Sequence, residues 1–384
     1  MKLAQSFLAS LFFGSILIAQ SHNPFHQTLV DQVQASRIET NLTSFVNFGE
    51  KELGSNAANN AFNWLKGLYQ SWGYTSIEQQ AVNAFGQTGY NLIVTKTGTT
   101  YPNTYIVVDA HYDTLNGPGA NDNGSGTVVL LEMARILKDI PTEYSIKFIH
   151  FTAEEWGLVG SRKYVEDIVI PQNLDIKLVF NIDQVGGVAG EVNNKINCER
   201  DESQPNSNNS ASHTATNELK NLMELYSNLE TNISNAYGSD YVPFQEEGYV
   251  ITGLYEYNES PYPHSSQDTM DRVDLDFILE VAKGSLGAIS YFAKAYDNMA
   301  TVENQQISFQ ILPNPAGDKV EIHHTFSGNV QVQLTDLNGK VLLNQGFNRN
   351  KFQLDTTHLP NGIYLFQLIQ NGKISTEKLI IQHK

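Results

Sequence analysis

Histidine and carboxylate side chains occur in five short stretches of the chain, four of them where predicted strands end. Imidazole and carboxylate groups are ligands that zinc takes in catalytic sites. Two such ions about 3.5 to 4 Å apart need a bridging carboxylate, further ligands on each ion and a free carboxylate that can accept a proton. We therefore predict a site for two metal ions, built from residues 110–113, 121–124, 154–155, 181–183 and 263–265.

The first two stretches offer ligands from a strand end and from a turn. His111 directly follows an apolar run at 105–110, so its imidazole is expected at the carboxyl edge of a sheet. Asp113 projects to the same side if the chain stays extended, and its carboxylate can fix the imidazole tautomer. Asp122 lies in a glycine-rich stretch, 119–126, whose tight turn can bring one carboxylate to a metal pair. Taken alone, that stretch is more typical of an Asx turn that begins a helix.

The remaining stretches supply two neighbouring glutamates, an aspartate and a histidine. Glu154 and Glu155 end an apolar run. Adjacent strand residues point to opposite sides, so one glutamate can bind a metal while the other faces bound water. Neighbouring carboxylates also repel each other unless cations are present. Asp183 ends a further apolar run, and prolines on both sides of Tyr262 stiffen the loop of His264.

The acidic charge of the chain lies in its first 300 residues. The formal net charge is −17, and residues 301–384 hold seven Lys/Arg and six Asp/Glu, which leaves 17 basic against 35 acidic residues before them. This balance argues against nucleic acid as a partner, because a phosphate backbone binds basic surfaces. It is compatible with a cationic substrate such as a free peptide amino terminus, and equally with solubility alone.

Residues 1–21 have the pattern of a secretory signal peptide, in which Lys2 precedes an apolar run at 7–18 that is too short for a membrane span. We expect its removal to leave a soluble, exported protein without stable membrane insertion. Cys198 is the only cysteine, so no intramolecular disulfide can form. Stability then depends on packing and bound metal.

Strands alternate with helices through residues 22–300, which we predict to be one domain. This alternation predicts an α/β fold of three α/β/α layers with a mostly parallel central sheet, in which ligands bind beyond the carboxyl ends of strands. Residues 191–213 are rich in Asn, Ser and Asp and predict an exposed loop. Residues 301–384 contain short alternating strands and Asn-Gly turns, which predict a small antiparallel β-sandwich.

The five stretches, taken in order, resemble the motifs of metallopeptidase family twenty-eight, the secreted di-zinc aminopeptidases of the bacterial leucyl aminopeptidase type. The resemblance covers roughly residues 85–295 and implies the zinc-exopeptidase fold. It also implies two zinc ions and hydrolysis of the N-terminal bond of peptides or proteins. The matching segments are Ala-His-Tyr-Asp-Thr at 110–114, Gly-Ala-Asn-Asp-Asn-Gly-Ser-Gly at 119–126, Thr-Ala-Glu-Glu-Trp-Gly-Leu-Val-Gly-Ser at 152–161, Asn-Ile-Asp at 181–183 and Pro-His-Ser-Ser-Gln-Asp-Thr at 263–269.

Carried over by position, the resemblance implies a role for each metal ligand. Asp122 would bridge the two zinc ions. His111 and Asp183 would complete one zinc site. Glu155 and His264 would complete the other.

The resemblance also implies the residues that perform the chemistry. Glu154 would be the general base, and Asp113 the partner of the neighbouring histidine. Zinc lowers the pKa of a bound water towards 7, and Glu154 would take its proton and return it to the leaving amine. A tyrosine helps to stabilise the oxyanion in relatives, so Tyr237 and Tyr241 are candidates for this role. The chain departs from the family at 239–241, where Ser-Asp-Tyr replaces the frequent Ser-Asp-His.

The C-terminal segment resembles the sorting domain of type IX secretion. This implies that the secretion machinery is a partner, that the protein passes through the periplasm and outer membrane, and that the domain is removed on export. The alternative is a carbohydrate-binding or adhesive β-module. The resemblance rests on residues 311–316, 336–340, 359–364 and 378–381.

Three other functions are compatible with parts of the pattern. A glutaminyl cyclase shares the fold and most ligands, but such relatives usually carry an insertion after the glutamate pair and replace the turn at 119–126. A dipeptidase or carboxypeptidase needs a basic residue for the substrate carboxylate, for which Arg162 and Arg272 are the candidates. A non-enzymatic binding ectodomain with an inactive site is expected to lack ligands, and none is missing.

Overall fold

The computed structural model describes residues 20–236, 238–297, 309–324, 329–337, 339–370 and 373–383. Residues 1–19 of the predicted signal peptide lie outside the described residues, as does Tyr237. The described chain divides into two units after Asp297. Within these residues, no helix is both long and apolar enough to cross a membrane.

Helices and strands alternate through most of the first unit. Asn23, Ser55 and Asp274 begin three of the helices, because their side-chain oxygens accept backbone N–H groups of the first turn. The described α-helices are α1 Pro24–Val30, α2 Ala35–Val46, α3 Asn56–Ser71, α4 Gly126–Leu137, α5 Val159–Tyr164, α6 Ile170–Gln172, α7 Asn209–Tyr226, α8 Val242–Glu246 and α9 Leu275–Phe292. The described strands are β1 Ile77–Ala84, β2 Gln87–Lys96, β3 Tyr101–His111, β4 Tyr144–Phe151, β5 Asp175–Ile182, β6 Lys195–Arg200, β7 Glu230–Asn235 and β8 Ile251–Glu256.

These strands form one mixed eight-stranded sheet in the order β1-β2-β4-β3-β5-β8-β6-β7. The central strands β4, β3, β5 and β8 run parallel, whereas β1 and β2 add an antiparallel edge. Parallel strands are covered on both faces, which explains why the second half of β3 is buried at every position. The predicted mostly parallel α/β sheet is confirmed.

Successive residues of β3 pack into cores on opposite faces of the sheet. Val108 belongs to a core that includes Leu130 of α4 and Ile289 of α9. Val107 belongs to a second core, with Tyr164 of α5 and Phe244 of α8. Helices therefore cover both faces, as the predicted three-layer arrangement requires.

The exposed loop predicted at 191–213 is wrong in part. This segment contains strand β6 and the start of helix α7. β6 pairs antiparallel with β8 and parallel with β7. Ile196 and Cys198 of β6 are buried, whereas Asn197 between them is partly exposed. The polar residues of a half-buried strand concealed its alternation within an Asn-rich and Ser-rich composition.

The second unit consists of short antiparallel strands, as predicted. They form a three-stranded sheet, β13-β10-β9, and a four-stranded sheet, β12-β11-β14-β15. Alternate residues such as Val320, Ile322 and Phe366 form an apolar core of this unit. The strands are β9 Phe309–Leu312, β10 Lys319–His324, β11 Val330–Thr335, β12 Val341–Phe347, β13 Lys351–Asp355, β14 Gly362–Gln370 and β15 Lys373–Ile381.

Candidate metal centre

Parallel strands bring three of the five stretches to one edge of the sheet. β3 ends at His111, β4 ends three residues before Glu154, and β5 ends directly before Asp183. β3 lies between β4 and β5 and runs parallel to both, so these ends lie side by side. This edge is where ligands bind in open α/β sheets.

Two groups of ligands share Asp122. In the first, Nε2 of His111 lies 3.2 Å from Oδ1 of Asp122 and 3.2 Å from Oδ1 of Asp183. In the second, Nε2 of His264 lies 3.1 Å from Oδ2 of Asp122 and 2.8 Å from Oε2 of Glu155. Asp122 therefore directs one oxygen to each group. All five residues that the family resemblance implied as ligands lie together.

The donor atoms have the identity and spacing that zinc requires. Ligands bound to a tetrahedral zinc at about 2.0 to 2.1 Å lie about 3.3 Å from one another, close to the distances within both groups. In each group the donor atoms lie within 4.8 Å of one another. Oε1 of Glu155 is buried and has no hydrogen-bond partner among the described residues. The residues present therefore fit divalent metal ions.

The carboxylates of this centre are buried close to one another. Burial, together with repulsion from Asp122, raises the pKa of Glu155 to about 9. Burial also raises the pKa of Glu154 well above its ordinary value. Such acids need either protons or neighbouring cations, and a metal pair would supply the cations.

Asp113 contacts both the histidine and the glutamate pair. Nδ1 of His111 lies 3.6 Å from the Asp113 carboxylate and 3.2 Å from its backbone oxygen. The same carboxylate accepts the backbone N–H groups of Glu154 at 3.1 Å and Glu155 at 3.2 Å. Asp113 therefore also fixes the backbone that carries the two glutamates, which the sequence did not indicate.

The sequence predicted that the two glutamates point to opposite sides of a strand, and this prediction is wrong. β4 ends at Phe151, and Ala153 has a φ of 56°, so strand alternation does not continue to the pair. Oε2 of Glu154 lies 3.9 Å from Nε2 of His111. Because Glu155 contacts His264, both carboxylates face the centre, each towards a different histidine.

Two further residues support the ligands. Asp268 is buried and accepts the backbone N–H groups of Asn121 at 2.7 Å and Asp122 at 2.9 Å. Ser239 is also buried, and its Oγ donates to Oδ2 of Asp183 at 2.8 Å. Both residues lie in motifs that the sequence singled out, but nothing in the spacing indicated which ligand each one meets.

Tyr241 is buried among polar groups. Its hydroxyl lies 3.4 Å from Oε1 of Glu199 and 3.3 Å from the backbone nitrogen of Gly238. Tyr237, the other candidate for oxyanion stabilisation, lies outside the described residues. The oxyanion role of both tyrosines stays a prediction.

The second unit has a recognised function in export. Residues 310–382 match the secretion system C-terminal sorting domain. The predicted resemblance of this segment is confirmed. A domain of this kind implies a secreted or cell-surface protein.

Relatives of the first unit are peptidases by name. The aminopeptidase YwaD of Bacillus subtilis is 33% identical over 226 residues, which cover 57% of this chain and 48% of that protein. The match therefore spans about half the length of YwaD. A probable zinc metalloprotease of Pyrenophora teres f. teres is 27% identical over 365 residues, which cover 78% of this chain and 74% of that protein.

The fold and the family agree with these relatives. The LapA aminopeptidase of Legionella pneumophila has a similar fold, with a TM-score of 0.63, 24% identity and coverage of 72% of this chain and 76% of that chain. Residues 91–289, slightly more than half of the chain, match Peptidase family M28. This match spans the ends of β3, β4 and β5 together with the loop of His264, and the chain belongs to peptidase family M28.

Proposed function

We propose that this chain is a secreted aminopeptidase that binds two zinc ions and removes the first residue of peptides. The observation that carries the proposal is Asp122, which directs one oxygen to each of two histidine-containing groups. A carboxylate shared in this way suits two ions about 3.5 to 4 Å apart. YwaD and LapA are named aminopeptidases, which supports the proposed activity. The relative from Pyrenophora is named a probable zinc metalloprotease, which supports the proposed metal.

Five side chains would hold the metal ions. His111 and Asp183 would bind one ion, Glu155 and His264 the other, and Asp122 both. When bound, the ions polarise the scissile carbonyl and make a water molecule acidic enough to lose a proton near neutral pH.

Glu154 is the residue that moves the proton. Its side chain is 15% exposed, compared with 2% for Asp122, so it lies where the centre opens to solvent and substrate. Its backbone is held by Asp113, which limits the motion of the carboxylate. Glu154 accepts a proton from the attacking water and delivers it to the nitrogen of the leaving amine, which then departs as a neutral group.

The surroundings favour a free amino terminus over a free carboxylate in the substrate. A positively charged amino group is attracted by a chain whose net charge is −17. A carboxypeptidase would need a basic side chain, and both candidates have other partners. Arg162 lies 2.6 Å from a carboxylate oxygen of Glu246, and Arg272 donates to the hydroxyl of Tyr262 at 3.2 Å.

The proposal is tested with aminoacyl p-nitroanilides and elemental analysis of one protein sample. We expect release of nitroaniline from unblocked substrates, none from their N-acetylated forms, and about two zinc ions per chain. Equal turnover of blocked substrates would contradict an aminopeptidase. Turnover without bound metal would contradict the metal mechanism.

A further inference from the structure

Two exposed aromatic rings lie against each other where the chain leaves the glutamate pair. Phe85 is 69% exposed and Trp156 is 37% exposed. Their ring centroids lie 5.2 Å apart, with an angle of 39° between the planes. We call this pair the aromatic rim. Rings of this size contribute most when they are buried, so their exposure here needs a reason.

The chain itself places Trp156 next to the catalytic base. Trp156 directly follows Glu155 and is two residues from Glu154, so its backbone lies within about 8 Å of that of the base. The backbone nitrogens of Gly157 and Leu158 both donate to the carbonyl oxygen of Glu154, at 2.9 and 2.8 Å. These bonds close a tight turn, which fixes the backbone of Trp156 directly after the glutamate pair.

Phe85 occupies a position where its residue type is unfavourable for folding. It forms, with Gly86, the two-residue turn between β1 and β2, and the two φ angles are 50° and 77°. Turns with two positive φ angles prefer Asn-Gly or Asp-Gly, and a side chain such as Phe is disfavoured there. A residue that breaks a local rule and adds little to the core is expected at a functional position.

We propose that the aromatic rim binds the side chain of the second residue of a peptide substrate, and so selects peptides with an apolar or aromatic residue there. This inference rests on the proposed aminopeptidase function. Glu154 must come within hydrogen-bond distance of the leaving nitrogen, so the segment that begins with this nitrogen lies on the side of Glu154. Adjacent side chains of an extended peptide point to opposite sides, so only one of the first two beyond the scissile bond can face the rim, and we assign the second residue, which carries the nitrogen that Glu154 protonates.

The chemistry of the rim matches this occupant. The faces of the two rings are apolar and attract aliphatic and aromatic side chains. A glycine at the second position leaves the rings without a partner. The rim therefore discriminates between peptides with the same first residue, independently of the pocket that accepts this first residue.

Three substrates with the same first residue separate these contributions. Leucine amide has no side chain beyond the scissile bond, Leu-Gly-Gly has only backbone there, and Leu-Phe-Gly has one apolar side chain, at the second position. The quantity measured is the ratio of kcat/KM for Leu-Phe-Gly to that for Leu-Gly-Gly. In the unaltered protein we expect this ratio to be at least about tenfold.

Phe85→Asn is the informative variant, because asparagine is preferred at this turn and the hairpin keeps its fold. We expect the ratio to fall to near one, and Trp156→Ala, with its metal content measured, to have the same effect. Tyr101→Ala is the matched control, since Tyr101 is also exposed and packs on another ring, that of Tyr144, but lies at the start of β3, at the other end of the strand from His111. The control is expected to leave all three rates unchanged.

The outcomes distinguish this inference from the proposed function. If no unblocked substrate is hydrolysed, leucine amide included, the proposed function fails. If leucine amide is hydrolysed and Phe85→Asn keeps the ratio of the unaltered protein, the rim does not bind substrate and the inference is overturned. A ratio that persists while Phe85→Asn abolishes concentration-dependent self-association would assign the rim to contacts between copies of the chain, and would also overturn it.

Discussion

At the scale of single residues, the metal centre depends on the groups that hold the ligands as well as on the ligands. Asp113 accepts two backbone N–H groups of the glutamate pair, and Asp268 accepts those of Asn121 and Asp122. Hydrogen bonds to a charged acceptor are stronger than neutral ones, so each aspartate fixes a segment that faces the metal. Substitution of the proton acceptor should therefore change turnover, whereas substitution of a supporting aspartate should change metal affinity.

Glu154→Gln removes the proton acceptor but keeps the size of the side chain. We expect kcat on leucine p-nitroanilide to fall by about 10² to 10⁴-fold, because general acid–base catalysis contributes on this scale. Zinc content should be unchanged, and Glu39→Gln, an exposed glutamate on α2, should retain full activity. Parallel loss of zinc and turnover would show that Glu154 is a ligand instead.

Asp268→Asn replaces a carboxylate that accepts two backbone N–H groups with an amide, in which an NH₂ donor stands in place of one oxygen. The segment of Asp122 loses one of its hydrogen bonds, and we expect zinc affinity to fall about 10 to 100-fold. Competition with a zinc-binding dye measures this directly. Asp271→Asn is the control, since Asp271 is exposed and its side chain contacts its sequence neighbours Thr269 and Arg272. Equal affinities in both variants would exclude the positioning role.

At the scale of elements, the start of α4 and the end of β5 approach each other closely. A Cβ atom on Gly126 would lie 2.3 Å from the backbone oxygen of Ile182 and 2.4 Å from Oδ1 of Asn123. The same Asn123 side chain donates to the Ile182 oxygen at 2.9 Å. This contact places the turn of Asp122 beside the strand end that carries Asp183.

Gly126→Ala should separate these two elements. Overpacking of this kind is expected to lower the free energy of unfolding by about 1 to 3 kcal/mol and to weaken metal binding. Gly67→Ala lies on the exposed face of α3, where a Cβ meets nothing within 4 Å. This substitution should instead raise the free energy of unfolding by about 0.5 to 1 kcal/mol. Urea unfolding of both variants measures the difference, and similar values for the two would refute the packing argument.

At the scale of the whole molecule, catalysis and export belong to different units. The metal centre lies in the unit that ends at Asp297, and the sorting domain covers residues 310–382. Each unit has an apolar core of its own. Units with separate cores generally fold alone, so the two functions should be separable.

Removal of residues 310–382 tests this separation. We expect kcat/KM on leucine p-nitroanilide to stay within about twofold, and zinc content to be unchanged, because the catalytic unit keeps its core. The shortened chain should accumulate inside the cell envelope instead of reaching the surface or the medium. A large loss of turnover in a folded, zinc-loaded shortened chain would assign the sorting domain a part in catalysis.

Much of the fold could be predicted because apolar periodicity is a local property. The continuous apolar runs of β3 and β5 indicated buried parallel strands, and their ends indicated where His111 and Asp183 lie. β6 was missed because its partly exposed positions are polar, and its pairing depends on β8 more than fifty residues later. The orientation of Glu154 and Glu155 was wrong because the backbone at Ala153 leaves the extended conformation.

The sequence by itself determined the family, the kinds of ligand and their order along the chain, since these depend on short motifs at strand ends. Only the tertiary structure decided which side chains meet. Asp268 holds Asp122 across 146 residues, and the aromatic rim joins a hairpin turn to the segment after β4. Such contacts follow from strand order and loop conformation, which many distant residues set together and no local pattern encodes.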